Sequence, residues 1–504
     1  DLGGHSLNGT QVMNRIEKDL GVEVEFEALF DFPSVQTLAA HIEQMIASGN
    51  TIIYEKITPA IKQDHYVTSH AQRRLWFIHQ YQPGLTAYNM PFAFELEGLH
   101  QEAFIKAFLT LEERHESLRT TFLNIDGLPM QKIHLPGSLG FHVAYADFRT
   151  HENGAGAAKA WADEEAVRPF DLEKGPLLRA TLLQLGDARF VFLFTIHHII
   201  SDGWSLEVLM REVSALYEAY ANGHDNPLQP LRVQYKDFVY WQNNVINARE
   251  EAFWLSKLAG ELSLINLPFD VEGVENNTFI GDRVHTRINE ATTAGLRELA
   301  LRHNTSLSNV ILSVFNILLA NISGQEDILI GMATANRSHL DTEGLIGFFV
   351  NTLIIRNQIS TEMNFEEVLQ QVTQAVVEAY QHQNYPFDLL VEKLNPERLV
   401  NRQAIFNVMY AFQNYADVAI DINTNTEEVF TGQSVALQGK VFEQEINNAY
   451  FDLTNFVSDY GNELLIGFNY NSDLFEKSTI EGLLDTYTEF IALTANTIAE
   501  NASL

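Results

Sequence analysis

A chain of 504 residues is too long for one simple hydrophobic core, and roughly two to four folding units are expected. Its 46% hydrophobic and 19% charged residues are those of a globular protein, no apolar run approaches the roughly 20 residues that span a bilayer, and a net charge of −34 makes nucleic acid and anionic membranes poor partners. With no cysteine there is no disulfide framework, no thiolate metal site and no cysteine nucleophile, which fits a reducing cytosol.

In chain order, residues 1–47 read as a small helical unit. The chain opens at Asp1 without a secretory signal, as a fragment of something longer would. Ser6 opens a helix that carries Val12, Met13, Ile16 and Leu20 on one apolar face and stops at Gly21. On their own, Gly3-Gly4 and Ser6 fit an ordinary turn with a serine cap. Ser34 caps the last helix, where Leu38, Ala39, Ile42 and Ile46 are expected to face inward. So few residues make a weak core, and a preceding helix is expected to be missing. Residues 48–65 form a linker too apolar (Ile52, Ile53, Ile57, Ile61) for a solvated tether, so it is expected to lie partly against the domain after it.

From Tyr66 helices and strands alternate. A helix is expected at 103–115, strands at 176–185 and 189–196, and a helix at 205–221 closed by Asn222-Gly223. A lobe boundary is placed shortly after the aromatic run Tyr235, Phe238, Tyr240, Trp241. The second half continues with helices at 291–303, 306–322 and 364–383 and strands at 327–333 and 348–355. There is no Gly-rich phosphate loop and no His/Cys/Asp set with metal-ligand spacing, so no metal is expected.

The most informative stretch is His197-His198-Ile199-Ile200-Ser201-Asp202-Gly203, which comes after the apolar run Phe190 to Ile196. Successive strand side chains alternate faces, so one histidine of the pair faces a given cleft. An imidazole at the end of a buried strand, beside a turn carboxylate, suits acyl-transfer chemistry, and a core histidine pair with a turn aspartate fits equally.

Asp1-Leu2-Gly3-Gly4-His5-Ser6-Leu7 resembles the attachment site of peptidyl carrier domains of nonribosomal peptide synthetases, and residues 66–504 resemble a condensation domain of the same enzymes. Seven segments occur in family order: Ser69 to Phe77, Arg114 to Phe122, His197 to Gly203, Tyr235 to Trp241, Ile346 to Thr352, Tyr385 to Asp388, and Asn401-Arg402 with Phe406 to Met409. The resemblance implies a mixed α+β, α/β fold class. Residues 1–47 would be a truncated four-helix carrier bundle, and 66–245 and 246–504 two lobes like chloramphenicol acetyltransferase, arranged as a V around a tunnel.

It also implies 4′-phosphopantetheine on Ser6 as the cofactor and amide formation between a donor thioester and the α-amine of a downstream aminoacyl thioester. His198 would accept the ammonium proton or position the amine, and His197 would support structure. Asp202 would pair with Arg337 of the other lobe. Gly203 would leave room for the pantetheine arm or serve a turn, Trp204 and Ser205 would line the tunnel, and Arg74 and Asn351 lie in family motifs near the cleft. Glu343 to Leu353 looks like the subtype joining L-configured donor and acceptor. Implied partners are an upstream adenylation domain, downstream adenylation and carrier domains, and a phosphopantetheinyl transferase, in the cytoplasm. Competing readings are a non-catalytic module that recruits a tailoring enzyme, and an epimerising relative.

Overall fold

The structure is a computed structural model that describes residues 6–22, 24, 28–32, 34–49, 55–246, 248–271, 278–394, 405–414, 429–431, 438–442 and 448–501. The small N-terminal unit consists of the helices Ser6–Leu20, Ala28–Asp31 and Val35–Ala47. The last begins where predicted: the Ser34 side chain accepts from the Thr37 N–H, and Thr37 Oγ1 accepts from the Ser34 N–H in return. Val22, Val24, Ala28 and Ile42 form its core, with Met13, Ile16, Leu38 and Met45 packed alongside.

Four expected core positions lie outside it. Val12, Leu20 and Ile46 are between 42% and 50% exposed, and Ala39 is also exposed. A core of four residues covers only a narrow stripe of each helix. Asn14, a polar residue, is buried instead, because its face of the first helix turns toward the rest of the chain.

The linker takes the expected course at Ile57, which is fully buried in the core of the next unit, whereas Ile61 stays exposed. That unit is built on a six-stranded sheet ordered Val429–Thr431, Gln438–Val441, Asn89–Glu97, Arg189–His197, Leu178–Gln184, Val143–Asp147. Arg189–His197 is central and buried at every residue after Arg189, as its apolar run requires. The helices Gln101–Arg114 and Gly203–Ala221 pack together, and their core joins Phe104, Phe108 and Leu216 to Phe192 and Phe194 of the sheet.

A second six-stranded sheet runs Asn351–Gln358, Asp327–Thr334, Val408–Asn414, Leu453–Asp459, Leu464–Asn471, Gly281–Ile288. The helices Leu307–Ser323, Phe365–Gln381 and Lys477–Asn501 pack on it over a separate apolar core. The chain does not keep to one sheet on each side of residue 245. Gln438–Val441 returns to pair antiparallel with Asn89–Glu97 in the first sheet, Gly439 opposite Leu96 and Val441 opposite Phe94. Among the described residues no single helix is long and apolar enough to cross a membrane.

Candidate active site

The strand Arg189–His197 stops at its last ladder partner, Asn89, and the chain tightens into a 3-10 turn over His198–Ile200. This change of geometry sends the two imidazoles apart. His197 is 3% exposed; its Nδ1 accepts from the Ile199 N–H at 3.1 Å, and its ring meets Phe170 and His79 edge-on. Burial, with His79, His198 and Arg179 nearby, pushes its pKa well down.

His198 is half-buried, held through its N–H on the Tyr88 carbonyl at 2.9 Å, with its ring centroid 4.9 Å from that of Phe348. Its Nδ1 lies 2.8 Å from the Ser201 carbonyl. A carbonyl only accepts, so Nδ1 carries the proton and Nε2 presents a lone pair. Burial lowers the pKa of His198 against the opposing pull of Asp202, and the imidazole is neutral at pH 7.

Asp202 caps the helix Gly203–Ala221. Its Oδ1 accepts from the N–H and Oγ of Ser205 at 2.8 and 2.7 Å and from Arg337 Nη2 at 3.3 Å, while Oδ2 accepts from the N–H groups of Phe349 and Val350 at 2.9 and 3.2 Å. Both oxygens are thus taken by donors, and the carboxylate clasps the turn after His198 to the segments at 337 and 349–350. The helix therefore begins at Gly203, two residues before the expected Ser205. The predicted strand at 348–355 begins only at Asn351 for the same reason: Phe349 and Val350 give their N–H groups to Asp202, and Phe348 gives its carbonyl to Tyr235 Oη at 2.6 Å.

Arg337 is 4% exposed and holds the Leu345 carbonyl at 2.8 Å, the Thr342 carbonyl and Ser205 Oγ at 2.9 Å. Ser205 is fully buried between Asp202, Arg337 and the Gly347 carbonyl, not on a cleft wall. Trp204 is half-buried and donates Nε1 to the Glu343 carbonyl at 3.1 Å. Gly203 is exposed, its backbone lies outside the left-handed region, and a Cβ there would meet nothing within 4 Å. The turn does not demand glycine; the space beside it is open.

Arg74 reaches Asp388 at 3.5 Å, joining a helix of the first half to one of the second. Asn351 ties down the loop at Pro386, donating to the carbonyls of Gln383 and Tyr385 at 2.8 Å each and accepting from the Phe387 N–H at 2.9 Å. A recess lined by Ser69, Phe348, Val350, Asn351 and Asp388 lies beside them. Five motif segments thus converge here. Arg114-His115 lies behind, where both side chains bind Glu212 on the helix Gly203–Ala221, and 401–402 lie outside the described residues. Sequence reasoning missed Tyr88, and it held Phe348 and Gln72 only as members of motif segments without a role; Gln72 Nε2 donates to the Ile199 carbonyl at 3.1 Å. The capping pattern Ser69-x-x-Gln72 was the available signal for Gln72.

Ser6 opens a 15-residue helix whose first turn holds no carboxylate, so its unpaired N–H groups fit the phosphodiester of a pantetheine arm.

Residues 1–42 match the family described as phosphopantetheine attachment site, and 62–503 the family described as condensation domain. The chain is 37% identical over 95% of its length to tyrocidine synthase 3 of Brevibacillus parabrevis and 35% identical over 95% to malpinin synthetase of Mortierella alpina. It is 35% identical over 98% to bacitracin synthase 3 of Bacillus licheniformis. It spans 7%, 6% and 7% of their respective lengths. In fold it is similar to the X-domain from teicoplanin biosynthesis (TM-score 0.76, 22% identity, 88% of this chain and 97% of that one). The starter condensation domain of rhizomide synthetase is also similar (TM-score 0.69, 20% identity, 86% and 97%). The chain belongs to the condensation-domain family of nonribosomal peptide synthetases, with a phosphopantetheine attachment segment at its N-terminus.

Proposed function

We propose that this chain joins an acyl donor carried through Ser6 to the α-amine of an aminoacyl group on a downstream carrier, releasing the donor thiol. In this reading residues 1–47 are the donor carrier, 48–65 its linker, and 66–245 and 246–504 the two lobes of the condensing unit. The pantetheine arm supplies the thiol on which the donor is activated as a thioester. His198 Nε2 accepts a proton from the attacking amine as the C–N bond forms and returns one to the sulfur as the C–S bond breaks. Holding both reactants at one imidazole supplies much of the acceleration, about 7–11 kcal/mol in favourable cases. Asp202 and Arg337 fix the loop that bears His198, and the open space at Gly203 admits the arm. The stretch Glu343 to Leu353 supports an L-configured donor and acceptor. Adenylation domains on either side and a phosphopantetheinyl transferase are the partners this reaction requires.

The observation that carries the reading is the placement of His198, with Nδ1 committed to the Ser201 carbonyl and Nε2 presented from a half-buried position; burial, which lowers its pKa, favours the neutral form this requires. To test it, the arm on Ser6 is charged with an aminoacyl donor and a separate downstream carrier with an amino acid, and both are followed by intact-protein mass spectrometry. Dipeptide on the downstream carrier supports the reading. Stable capture of a partner protein without transfer would favour a non-catalytic module.

A further inference from the structure

The segment 337–347 has two faces. Its inner face is the clasp already described: Arg337 Nη2 on Asp202 and Ser205, Arg337 Nη1 on the carbonyls of Thr342 and Leu345, and Gly347 N–H on Ser205 Oγ at 3.0 Å. Its outer face is covered by the carrier and the linker. Asn14, 6% exposed on the helix Ser6–Leu20, donates Nδ2 to the Arg337 carbonyl at 3.1 Å, and the same helix touches the turn Leu340–Thr342. The linker adds the Glu55 carbonyl on His339 Nε2 at 2.8 Å and the Ile57 N–H on Asp341 Oδ2 at 3.0 Å; Arg232 binds both the Ile57 carbonyl and Asp341.

Charge matches across the same face. Glu343 Oε1 is buried without a hydrogen-bond partner among the described residues. Burial pushes this carboxyl up, opposed by Arg15 and Lys18 of the carrier helix and by Arg211 and Arg337. A buried carboxylate with an unused oxygen is costly when alone, and two carrier cations stand where they offset that cost.

We propose that carrier docking is read at the reacting centre: Asn14 is a positioning residue that, through the Arg337 backbone, tightens the clasp on the loop bearing His198. Departure of the carrier strips the Arg337 carbonyl of its donor and Glu343 of two of its four counter-charges, and the clasp loosens. The site is fully set when a donor carrier is seated. Because the coupling is stated for the condensing site, it rests on the amide-forming reading above.

The test compares the full chain with Asn14→Ala and with the surface pair Arg15→Glu/Lys18→Glu, each first shown to accept the arm on Ser6, which certifies a folded carrier. Turnover is measured with the arm-bound donor and with a soluble N-acetylcysteamine thioester donor that needs no delivery; backbone hydrogen exchange is followed by mass spectrometry. Both variants are expected to lower turnover of the soluble donor, Asn14→Ala by about three- to ten-fold, the range one neutral hydrogen bond commands. They are also expected to speed exchange in 337–347 and 198–205 while leaving 307–323 unchanged. Loss confined to the arm-bound donor, with exchange in 198–205 unchanged, would make Asn14 a simple docking contact and overturn the coupling. Should the wild-type chain form no peptide from either donor, the amide-forming reading falls, and exchange in 198–205 alone decides the coupling: faster in the variants upholds it, unchanged overturns it.

Discussion

Asp202 and Arg337, 135 residues apart in sequence, meet at 3.3 Å with side chains only 3% and 2% exposed. Asp202 Oδ2 is held by backbone N–H groups, and the Arg337 Nη1 and Nη2 groups reach backbone carbonyls and Ser205, so the pair closes a hydrogen-bonded knot between the first helix after the two histidines and the segment leading into the second sheet. Removing one partner strands a buried charge, at a cost of about 3–5 kcal/mol. Asp202→Ala and Arg337→Ala are each expected to lose that much in chemical denaturation, with lowered soluble yield. A variant of Asp202 that is native in stability yet inactive would instead give this carboxylate a direct part in the chemistry.

Gly203 separates stability from passage. Its backbone is in an ordinary region and a methyl group there meets nothing. Gly203→Ala should leave thermal stability unchanged or raise it by up to about 1 kcal/mol, by restricting the unfolded chain. If the arm passes beside residue 203, the same variant slows condensation with arm-bound donors. Full activity in a stable Gly203→Ala chain would place the passage elsewhere.

The buried imidazoles make folding stability depend on pH in one direction. His197, facing His79, His198 and Arg179, and His115, between Glu212 and Arg114, both have pKa values lowered chiefly by burial. Unfolded, each takes up a proton as pH falls through about 6.5; folded, each does so only at lower pH. The unfolded state then binds more protons, so stability falls on acidification below that value, at up to about 1.4 kcal/mol per pH unit for each such group. Denaturation midpoints between pH 7 and 5 should show this slope, and His197→Gln should flatten it. An equal slope in that variant would mean that His197 takes up protons alike in both states.

The parts of the fold legible in sequence are those set by local pattern. The apolar run to Ile196 dictates a doubly covered strand, and serine or asparagine caps mark the helices after Ser34, Ser306 and Asn364. What sequence hid was decided by distant partners. Phe349 and Val350 carry strand-like side chains, but their N–H groups are claimed by a carboxylate nearly 150 residues earlier. Gln438–Val441 finds its pairing partner in the first sheet, over 300 residues back, and no local pattern announces it. At the site, the adjacent histidines and Asp202 stood out as a motif, whereas Tyr88 and Phe348 touch His198 only because the fold brings them there. Asn14 reads as a surface residue on its own helix and is buried only by the larger unit.

The most direct measurement is the single-turnover rate of dipeptide formation on a downstream carrier by His198→Ala, beside wild type and His197→Ala variants with equal arm loading. Losing His198 Nε2 is expected to lower that rate by about 10²–10⁴-fold, the range of general acid–base catalysis, with loading of Ser6 unaffected. His197→Ala is expected to act mainly through stability. Near-wild-type turnover by a folded, fully loaded His198→Ala chain would contradict the account.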